Sequence, residues 1–356
     1  MKISKIRFYK EDLDLTRPYT IAYKTISTVD NLFLEIGLQN GVVGLGVSNP
    51  SIGVVGEDVT STFKKLNSEG LDWLIGRDIS HFRALTEEVT LRYGKHKGVC
   101  AALDIALYDA FCKYLGISLA EFLGVYHQSL PTSITVGIKN VQETLEEARE
   151  YVQRGFQYLK IKLGHSVEED IERLVKLREK FGSAIFIRVD ANQGYSVDEL
   201  TKFYQETQGL SIELIEQPLP AQQIVESKSL LPEIKKLIAA DESLIDSESA
   251  FKLIGNENAC GIFNIKLMKC GGITNALEIA TIAHYNSIDL MWGCNDESII
   301  SITAALHTAL AFSHTKYIDL DGSFDLAKDM VTGGFKIDKG IMYPIRNALG
   351  LGVEKL

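Results

Sequence analysis

Short runs rich in β-branched and apolar residues recur from about residue 130 onward, roughly 25 residues apart. Between them lie segments with the apolar period of an amphipathic helix, such as VEEDIERLVKLREKFG and SVDELTKFYQETQG. This alternation is typical of βα units that form a parallel sheet. Eight runs predict a closed barrel of the (β/α)8 type. The runs are TSITVGI near 132, YLKIKLG near 158, IFIRVDA near 185, IELIEQP near 212, KLIAADES near 236, IFNIKLM near 262, IDLMWGC near 288 and KYIDLDG near 316.

An open, doubly wound sheet is the alternative that the same alternation allows. Such sheets often carry a glycine-rich dinucleotide fingerprint after an early strand, and this chain has none there. The pattern therefore favours a closed barrel and an α/β fold class.

The first 125 residues follow a different pattern. RFYKEDLDL, DNLFLEIGLQN and GVVGLGVSN are predicted to be antiparallel strands, and VCAALDIALYDAFCKYLG a buried amphipathic helix. The segment after about 325, which ends in MVTGGFKIDKGIMYPIRNALGLG, is neither barrel-like nor disordered in composition. We expect an α+β domain at 1–125, a barrel at 126–325, and a C-terminal segment at 326–356 that packs back onto the first domain.

The composition argues against several classes of protein. The chain has 356 residues, of which 46% are hydrophobic and 24% charged, as in soluble globular proteins. A net charge of −10 argues against a nucleic-acid surface, which needs a basic face. No apolar run is long enough to cross a bilayer, and MKISKIRFYKED meets charge too early for a signal peptide. Five scattered cysteines without a CxxC spacing favour reduced thiols in a cytoplasmic protein.

Acidic residues stand at the ends of three consecutive predicted strands. The third run ends in Asp190, the fourth in Glu216 and the fifth in Asp241. Catalytic groups of such barrels lie at the C-terminal ends of the strands, so these carboxylates should converge at the mouth. Neighbouring carboxylates repel unless a cation joins them, and a hard ion such as Mg²⁺ prefers oxygen ligands. The alternative is that each acid caps the following helix, which is common for one acid alone.

Three lysines are predicted to face the same space. Lys160 and Lys162 share one face of the strand in FQYLKIKLGH, and Lys266 lies across the mouth on the sixth strand. A lysine with a pKa of ~10.4 is a poor base at neutral pH, but a nearby dication and a second ammonium favour its neutral form. Amines on opposite sides predict proton abstraction next to a carboxylate, through an enediolate, with return of a proton to the other face. The alternative is that the lysines only form ion pairs with the carboxylates.

These residues resemble the motifs of the enolase superfamily and, within it, of the muconate-lactonizing group. The motifs are KIK at Lys160–Lys162, VDANQG at Asp190, EQP at Glu216, ADES at Asp241 and NIKLMKCGG at Lys266. They occur in order and at barrel spacing, and the resemblance covers essentially the whole chain. It implies a modified TIM barrel, (β/α)7β, with an N-terminal α+β capping domain.

The resemblance also implies roles for single residues. The three strand-end acids would hold Mg²⁺, and Lys162 and Lys266 would be the paired acid and base. Lys160 would assist the enolate, which would explain why a second lysine lies beside Lys162. Lys269, the other lysine of its motif, is taken as structural.

The eighth predicted strand narrows the activity. IDLDG places Asp319 and Asp321 on one face at the mouth, where two carboxylates suit an ammonium group. This DxD resembles the signature of dipeptide epimerases, in which it binds the free α-amino group of the substrate. Muconate and succinylbenzoate carry no ammonium and would gain nothing from the pair. We therefore expect a dipeptide epimerase that inverts the C-terminal residue; the alternative is two solvated loop acids.

Two features bear on the preferred dipeptide. The early loop RPYTIAYKT offers Arg17 and Lys24, cations that suit the Glu side chain bound by L-Ala-D/L-Glu epimerases. GCNDES, after the seventh strand, places Asp296 where the Ala-Glu type has an apolar residue. An acid there repels Glu and attracts Lys or Arg, which favours cationic or broad dipeptides. The alternatives are that Asp296 points away or pairs with Lys24.

Other functions remain open at this point. The same scaffold carries N-acylamino acid racemases, succinylbenzoate synthases and cycloisomerases, and a fold alone does not decide the activity. A barrel that has lost catalysis and only binds a ligand is a further alternative, although every proposed ligand and base is present. Apolar outer helices of such barrels often self-associate, which leaves a homo-oligomer open.

Overall fold

The computed structural model describes residues 1–21, 24–164 and 166–356, and it leaves out the side chains of residues 18–26. A separate α+β domain precedes a barrel of parallel strands, and short antiparallel strands follow. The α/β barrel with its N-terminal domain is thereby confirmed, whereas the boundaries at 125 and 325 stay a prediction. Within the described residues, no helix is both long and apolar enough to span a membrane.

The capping domain is built on an antiparallel sheet covered by helices. Its elements are β1 (Ile3–Ile21), β2 (Lys24–Leu38), β3 (Val43–Ser48), α1 (Ile52–Val55), α2 (Val59–Glu69), α3 (Phe82–Tyr93), α4 (Lys97–Leu115) and α5 (Leu119–Leu123), with 3-10 turns at Asp72–Leu74 and Ile79–His81. The sheet order is β1-β2-β3. Leu32, Leu34 and Ile36 on β2 are fully buried, as the two-residue period of a strand predicts.

The helix α4 lies directly against β3. A Cβ atom on Gly46 would stand 2.0 Å from the carbonyl oxygen of Ala102, and one on Gly44 would stand 2.3 Å from that of Ala106. The sheet covers one side of α4. The other sides of this helix are buried as well, and the buried residues include the polar Asp104. This close backbone packing requires glycine on the strand.

Exchanging Gly46 for alanine should therefore destabilise the protein. The added methyl group meets backbone rather than a movable side chain, and overpacking of this kind costs about 2–3 kcal/mol of unfolding free energy. Gly53→Ala is the matched control, because a Cβ atom there meets nothing within 4 Å. Urea unfolding should show a lower midpoint for Gly46→Ala only. Equal midpoints would mean that α4 can move away at little cost.

Eight parallel strands form the barrel among the described residues, in the order β5 to β12. The elements are β4 (Leu130–Pro131), β5 (Ile134–Val136), α6 (Val141–Gln153), β6 (Tyr158–Lys162), α7 (Val167–Phe181), β7 (Phe186–Asp190), α8 (Val197–Thr207), β8 (Ile212–Glu216), α9 (Ile224–Ser229), α10 (Pro232–Leu237), β9 (Ile238–Ala240), α11 (Ser247–Ile254), β10 (Ile262–Ile265), α12 (Leu267–Cys270), α13 (Ile273–Tyr285), β11 (Asp289–Gly293), α14 (Ile299–Ala309) and β12 (Thr315–Asp319), with 3-10 turns at Gly182–Ala184 and Gln208–Leu210. A bridge between Thr132 and Ile318 brings the first and last strands together, so the ring is nearly closed.

The side chains that face the barrel interior differ in polarity between its two ends. A small apolar cluster of Leu214, Ala239, Ile262 and Met291 fills part of it, separate from the main core. Arg188 is 1% exposed and lies between the rings of Tyr158 and Tyr317. Further along the same strands the inward-facing positions become charged, and this charged end is the C-terminal end of the strands.

The C-terminal segment forms two small antiparallel sheets. Its strands are β13 (Val331–Gly333), β14 (Phe335–Asp338), β15 (Ile341–Pro344) and β16 (Val353–Lys355). β15 pairs with β4, beside the start of the barrel. The backbone N–H of Leu351 donates to Asp109 of α4 at 2.8 Å, and Lys355 pairs with Glu35 of β2 at 2.6 Å. The segment thus contacts both the barrel and the capping domain.

Candidate active site

Buried acids lie at the C-terminal ends of the barrel strands. Asp190 and Glu216 are the last residues of β7 and β8, and Asp241 directly follows β9. They are 1%, 0% and 4% exposed. The strand register aligns Asp190 with Lys162 on one side and with Glu216 on the other. Because in-register residues of neighbouring parallel strands share a face, these charges lie at one level of the mouth.

The ammonium group of Lys160 lies among three carboxylates. Its Nζ is 2.7 Å from Glu216 Oε2, 2.8 Å from Asp319 Oδ2 and 3.1 Å from Asp190 Oδ2. Burial opposes the charged form, but the three carboxylates outweigh it and hold the pKa of Lys160 well above its ordinary value. A buried charge is tolerated when it is paired in this way, so Lys160 is held as a cation.

The other two lysines approach the carboxylates from opposite sides. Lys162 Nζ lies 2.7 Å from Asp190 Oδ2, and its side chain is 30% exposed. Lys266, which directly follows β10, places its Nζ 2.8 Å from Asp241 Oδ2, and its side chain is 13% exposed. Both amines therefore reach the mouth, whereas Lys160 lies below it.

Lys269 has a different environment from the other lysines. It is 4% exposed and donates to the backbone carbonyls of Asp241 and Asn264 at 2.6 and 3.0 Å. It also pairs with the carboxylate of Asp241. These contacts tie the segment after β10 to the segment after β9, in keeping with the structural role predicted for Lys269.

The carboxylates differ in acidity because their lysine partners differ. Burial, together with the charges of Asp190 and Asp241, raises the pKa of Glu216 to about 8. Burial acts in the same direction on Asp241, yet the ammonium groups of Lys266 and Lys269 hold the pKa of that carboxyl well below its usual range. The cluster thus combines a strongly anionic group with one that carries a proton near neutral pH.

The sequence predicts lowered pKa values for the lysine bases, and the structure gives the opposite direction for Lys266. Burial lowers the pKa of Lys266, but Asp241 and Glu216 outweigh it and raise the pKa above its ordinary value. The prediction assumed a divalent cation beside the amine, whose charge would lower the pKa of the lysine. Carboxylates alone have the opposite effect, because they favour the ammonium form and raise the pKa.

The donor set suits a hard divalent cation, although ammonium groups lie between the acids. Among residues 1–21, 24–164 and 166–356, no group of three His, Cys, Asp or Glu side chains is arranged to hold a metal ion. Glu216 Oε2 is nevertheless buried and makes no hydrogen bond, despite the nearby ammonium of Lys160. This oxygen has an ion pair but no hydrogen bond, and with two further carboxylates beside it the donor set fits the ligand preference of Mg²⁺. The assignment of the three acids as ligands stays a prediction.

The two acids of the eighth strand lie at the mouth but differ in their contacts. Asp319 ends β12, is 4% exposed, and accepts from Ser133 Oγ at 2.6 Å besides its pair with Lys160. Asp321 is half-buried and accepts the backbone N–H of Thr135 at 2.8 Å. Burial and the charge of Asp319 raise the pKa of Asp321 to about 7. Asp321 is thus the more accessible of the two, and ammonium binding by the pair stays a prediction.

Asp296 lies in the loop after β11 and is half-buried. The same loop contacts the capping domain, because Asn295 Nδ2 donates to the carbonyl oxygen of Asn49 at 2.9 Å. The segment of the capping domain that contains Asn49 therefore touches the loop that carries Asp296.

Of the two cations that the sequence offers in RPYTIAYKT, the structure describes the side chain of Arg17 only. The side chain of Lys24 lies outside the described residues. Arg17 is exposed and pairs with Glu150 on α6, and its guanidinium lies 5.9 Å from the ring centre of Tyr151. In the structure Arg17 thus binds an outer helix of the barrel.

Both parts of the chain match known protein families. Residues 4–124 match the N-terminal domain of the mandelate racemase / muconate lactonizing enzyme family, and residues 143–355 match the family described as enolase C-terminal domain-like. The chain belongs to the enolase superfamily. The resemblance drawn from the KIK, VDANQG, EQP, ADES and NIKLMKCGG motifs is confirmed.

Named members of the superfamily align with this chain over its full length. L-Lys-D/L-Arg epimerase of Desulforapulum autotrophicum is 49% identical over 356 residues, 100% of each chain. L-Lys-D/L-Arg epimerase of Methylococcus capsulatus is 49% identical over 352 residues, 99% of each. A crystal structure of the dipeptide epimerase from Methylococcus capsulatus, complexed with Mg and the dipeptide L-Arg-D-Lys, has a TM-score of 0.96 at 48% identity and covers 99% of each chain.

Glu297 is a buried acid at the mouth that the sequence analysis does not single out. It directly follows Asp296, is 3% exposed, and accepts the backbone N–H of Asn295 at 2.8 Å. Burial raises the pKa of Glu297 to about 7. GCNDES shows two adjacent acids, and only the fold distinguishes the buried one from the half-buried one.

Proposed function

We propose that this member of the enolase superfamily is a Mg²⁺-dependent dipeptide epimerase that inverts the α-carbon of the C-terminal residue and prefers cationic dipeptides. The observation that carries the proposal is the pair of amines, Lys162 and Lys266, on opposite sides of the buried carboxylates. Inversion needs a proton acceptor on one face of the carbon and a donor on the other. The names of the relatives and the bound dipeptide support the substrate class.

In the proposed reaction the two lysines divide the work between them. One takes the α-proton as a neutral amine, and the other delivers a proton to the opposite face as an ammonium. The reverse reaction exchanges their roles, so that both epimers are substrates. Lys160, a cation between three carboxylates, would stabilise the negative charge that develops on the substrate carboxylate.

Asp190, Glu216 and Asp241 are the residues proposed to hold Mg²⁺. When bound, the ion would supply a Lewis acid for the substrate carboxylate. The three acids are at most 4% exposed, which keeps water away and strengthens their interaction with a cation.

The acids around the mouth are proposed to orient the substrate. Asp319 and Asp321 would bind the free α-ammonium group, and Asp296 would attract a Lys or Arg side chain. Acids on two neighbouring strand ends favour a substrate that carries several positive charges. A dipeptide of Lys and Arg is such a substrate.

Exchanging Asp296 for asparagine tests the preference for cations. The change removes one negative charge at nearly constant volume, so the ratio of Ala-Lys to Ala-Glu turnover should fall by about tenfold. The measurement is kcat/KM for both dipeptides. Asp289→Asn, at the other end of the same strand and paired with Lys316, is the control and should leave the ratio unchanged. An unchanged ratio in Asp296→Asn would exclude Asp296 from substrate selection.

An N-acylamino acid racemase is the rival on the same scaffold, because two-base chemistry does not itself require a free α-amino group. The two activities are distinguished by incubating the protein and Mg²⁺ with L-Lys-L-Arg or with N-acetyl-L-arginine. Inversion of each compound is followed by chiral chromatography. The proposal predicts that kcat/KM for the N-acyl compound is lower by about 100-fold, since the carboxylates at the mouth would lose their ammonium partner. Faster inversion of the N-acyl compound would contradict it.

A cytoplasmic location is part of the proposal. The five cysteines are free thiols, four of them buried and Cys294 half-buried. Free thiols are usual in a reducing compartment. A homo-oligomer stays a prediction.

A further inference from the structure

A buried acid on α7 fixes the backbone that carries Lys162. Asp170 Oδ2 accepts the N–H of Gly164 at 2.8 Å and the hydroxyl of Tyr195 at 2.6 Å. Arg173 pairs with the other oxygen of Asp170 and donates to the carbonyl oxygen of Lys162 at 3.2 Å. Asp170, Arg173 and Tyr195 are 1%, 3% and 3% exposed. The end of β6 cannot shift without breaking buried polar contacts, which is costly.

Close packing reinforces these contacts. Gly164 has a φ of +110°, and a Cβ atom there would stand 2.3 Å from the carbonyl oxygen of Ala191. The N–H of Leu163 donates to the carbonyl oxygen of Asp190 at 2.7 Å. The end of β6 is therefore interlocked with the end of β7, within the barrel itself.

A different acid, from the capping domain, acts on the segment that carries Lys266. Asp104 lies on α4 and is 2% exposed. The hydroxyl of Thr274 donates to Asp104 Oδ1 at 2.6 Å, and the backbone N–H of Thr274 donates to Asp104 Oδ2 at 3.1 Å. Thr274 is the second residue of α13, which follows Lys266 after the short helix α12 and the residues Gly271 and Gly272.

The capping domain touches this segment along its length. Gly272 has a φ of +108°, and a Cβ atom there would stand 2.5 Å from Asp104 Oδ2. The backbone N–H of Asn49 donates to the sulfur of Met268 on α12 at 3.1 Å. The direction in which Lys266 leaves β10 is thus set by contacts from the capping domain, in addition to those that Lys269 makes within the barrel.

Neither Asp170 nor Asp104 contacts the proposed ligands or bases through its carboxylate. Burying an acid is costly unless hydrogen bonds compensate, and here several do. Burial raises the pKa of Asp104 to about 6 in spite of its bonds to Thr274. Proton transfer is sensitive to displacements of about 1 Å, so rigid support of each base would offset this cost.

We infer that the two lysines are positioned independently, Lys162 by Asp170 with Arg173 and Tyr195, and Lys266 by Asp104 with Thr274. The inference rests on the proposed two-base epimerisation. Asp170 and Asp104 are positioning residues, because they act through the backbone that bears each lysine. A change in one set therefore slows proton removal from one epimer more than from the other.

The test uses two variants that each remove one hydroxyl donor to an acid, Tyr195→Phe and Thr274→Val. The probes are L-Lys-L-Arg and L-Lys-D-Arg in D₂O with Mg²⁺, and the readout is the initial rate of deuterium uptake at the C-terminal α-carbon of each. Loss of one buried hydrogen bond should change the ratio of the two rates by about fivefold, in opposite directions for the two variants. A ratio that is unchanged, or that moves in the same direction in both, overturns the inference.

Matched controls remove similar hydroxyl groups elsewhere. Tyr93→Phe alters a contact with Trp73 in the capping domain, and Thr207→Val removes a bond to the carbonyl of Phe203 at the end of α8. Both should leave the ratio of the two exchange rates unchanged. Thr274→Ser keeps the hydroxyl group and should restore the ratio. Failure of this rescue would mean that the methyl group, rather than the hydrogen bond, matters.

Backbone amide exchange followed by mass spectrometry gives a readout that does not depend on activity. Tyr195→Phe should accelerate exchange in the peptide that contains Gly164, and Thr274→Val in the peptide that contains Met268. If the wild-type protein exchanges no dipeptide α-proton, the proposed function fails, and this measurement alone decides the positioning. Acceleration of both peptides by either variant, or of neither peptide, overturns the inference.

Discussion

Replacing Lys266 with methionine should lower the rate of epimerisation of L-Lys-L-Arg by about 10²–10⁴-fold, the usual contribution of a general acid or base. Methionine keeps the length of the side chain and removes the amine. Asp241 retains Lys269 as its partner, so the carboxylate is not left uncompensated. The fold should therefore persist, and the loss should appear in kcat. The measurement is the initial rate of inversion followed by chiral chromatography.

Lys162→Met should cause a comparable loss, because inversion needs both amines. Each single variant should still exchange the α-proton of one epimer without inverting it, since the remaining lysine can remove and return a proton on its own side. Lys316→Met is the control, as Lys316 is exposed and pairs with Asp289 at the opposite end of the barrel. Inversion within tenfold of the wild-type rate in Lys266→Met would remove Lys266 from the chemistry.

Exchanging Glu216 for glutamine should abolish the stabilisation that Mg²⁺ gives to the protein, without destabilising the protein in EDTA. Binding to the folded state alone stabilises by about 2.7 kcal/mol at 100 times the Kd, which is a measurable rise in Tm. Glu216 is fully buried among carboxylates, and its Oε1 accepts from Asn264 Nδ2 at 3.0 Å. Glutamine can keep this bond and removes the repulsion from the neighbouring carboxylates, while Lys160 retains Asp190 and Asp319 as partners.

The stability of the protein in EDTA should depend on pH, because the pKa of Glu216 is raised in the folded state. In the folded protein the pKa of Glu216 is raised from 4.5 to about 8, so ionisation favours the unfolded chain as the pH rises through this window. In EDTA the Tm of Glu216→Gln relative to wild type should therefore be higher at pH 8 than at pH 5. Glu213→Gln on the same strand is the control, because it weakens the ion pair with Arg188 and should leave the Mg²⁺ response intact. A full Mg²⁺ shift in Glu216→Gln would contradict the proposed ligand set.

The sequence located the barrel strands well, because strands buried on both faces appear as apolar runs bounded by turn signals. IELIEQP contains β8, which ends at Glu216 as the motif suggests. KLIAADES was less accurate: its first two residues belong to α10, and β9 has only three residues, Ile238–Ala240. A short apolar run cannot by itself tell the end of a helix from the start of a strand.

The parts of the site that the sequence missed depend on contacts between distant residues. Thr274 and Asp104 are 170 positions apart, and no local pattern pairs them. Arg17 forms an ion pair with Glu150, which lies on a helix of the other domain, 133 positions away in the sequence. The direction of the Lys266 pKa depends on how many carboxylates surround the amine. The spacing of the motifs along the chain locates the ends of the strands. Only the folded structure shows which side chains lie next to those ends.

The central claim is that this protein removes and returns the α-proton of the C-terminal residue of a dipeptide. The most direct measurement is incubation of L-Lys-L-Arg with the protein and Mg²⁺ in D₂O, followed by mass spectrometry of the separated epimers. The claim predicts a gain of one mass unit in the C-terminal residue, with the L,D epimer appearing fully deuterated from the start. An absence of deuterium in every dipeptide offered, or deuterium only in N-acyl amino acids, would contradict it.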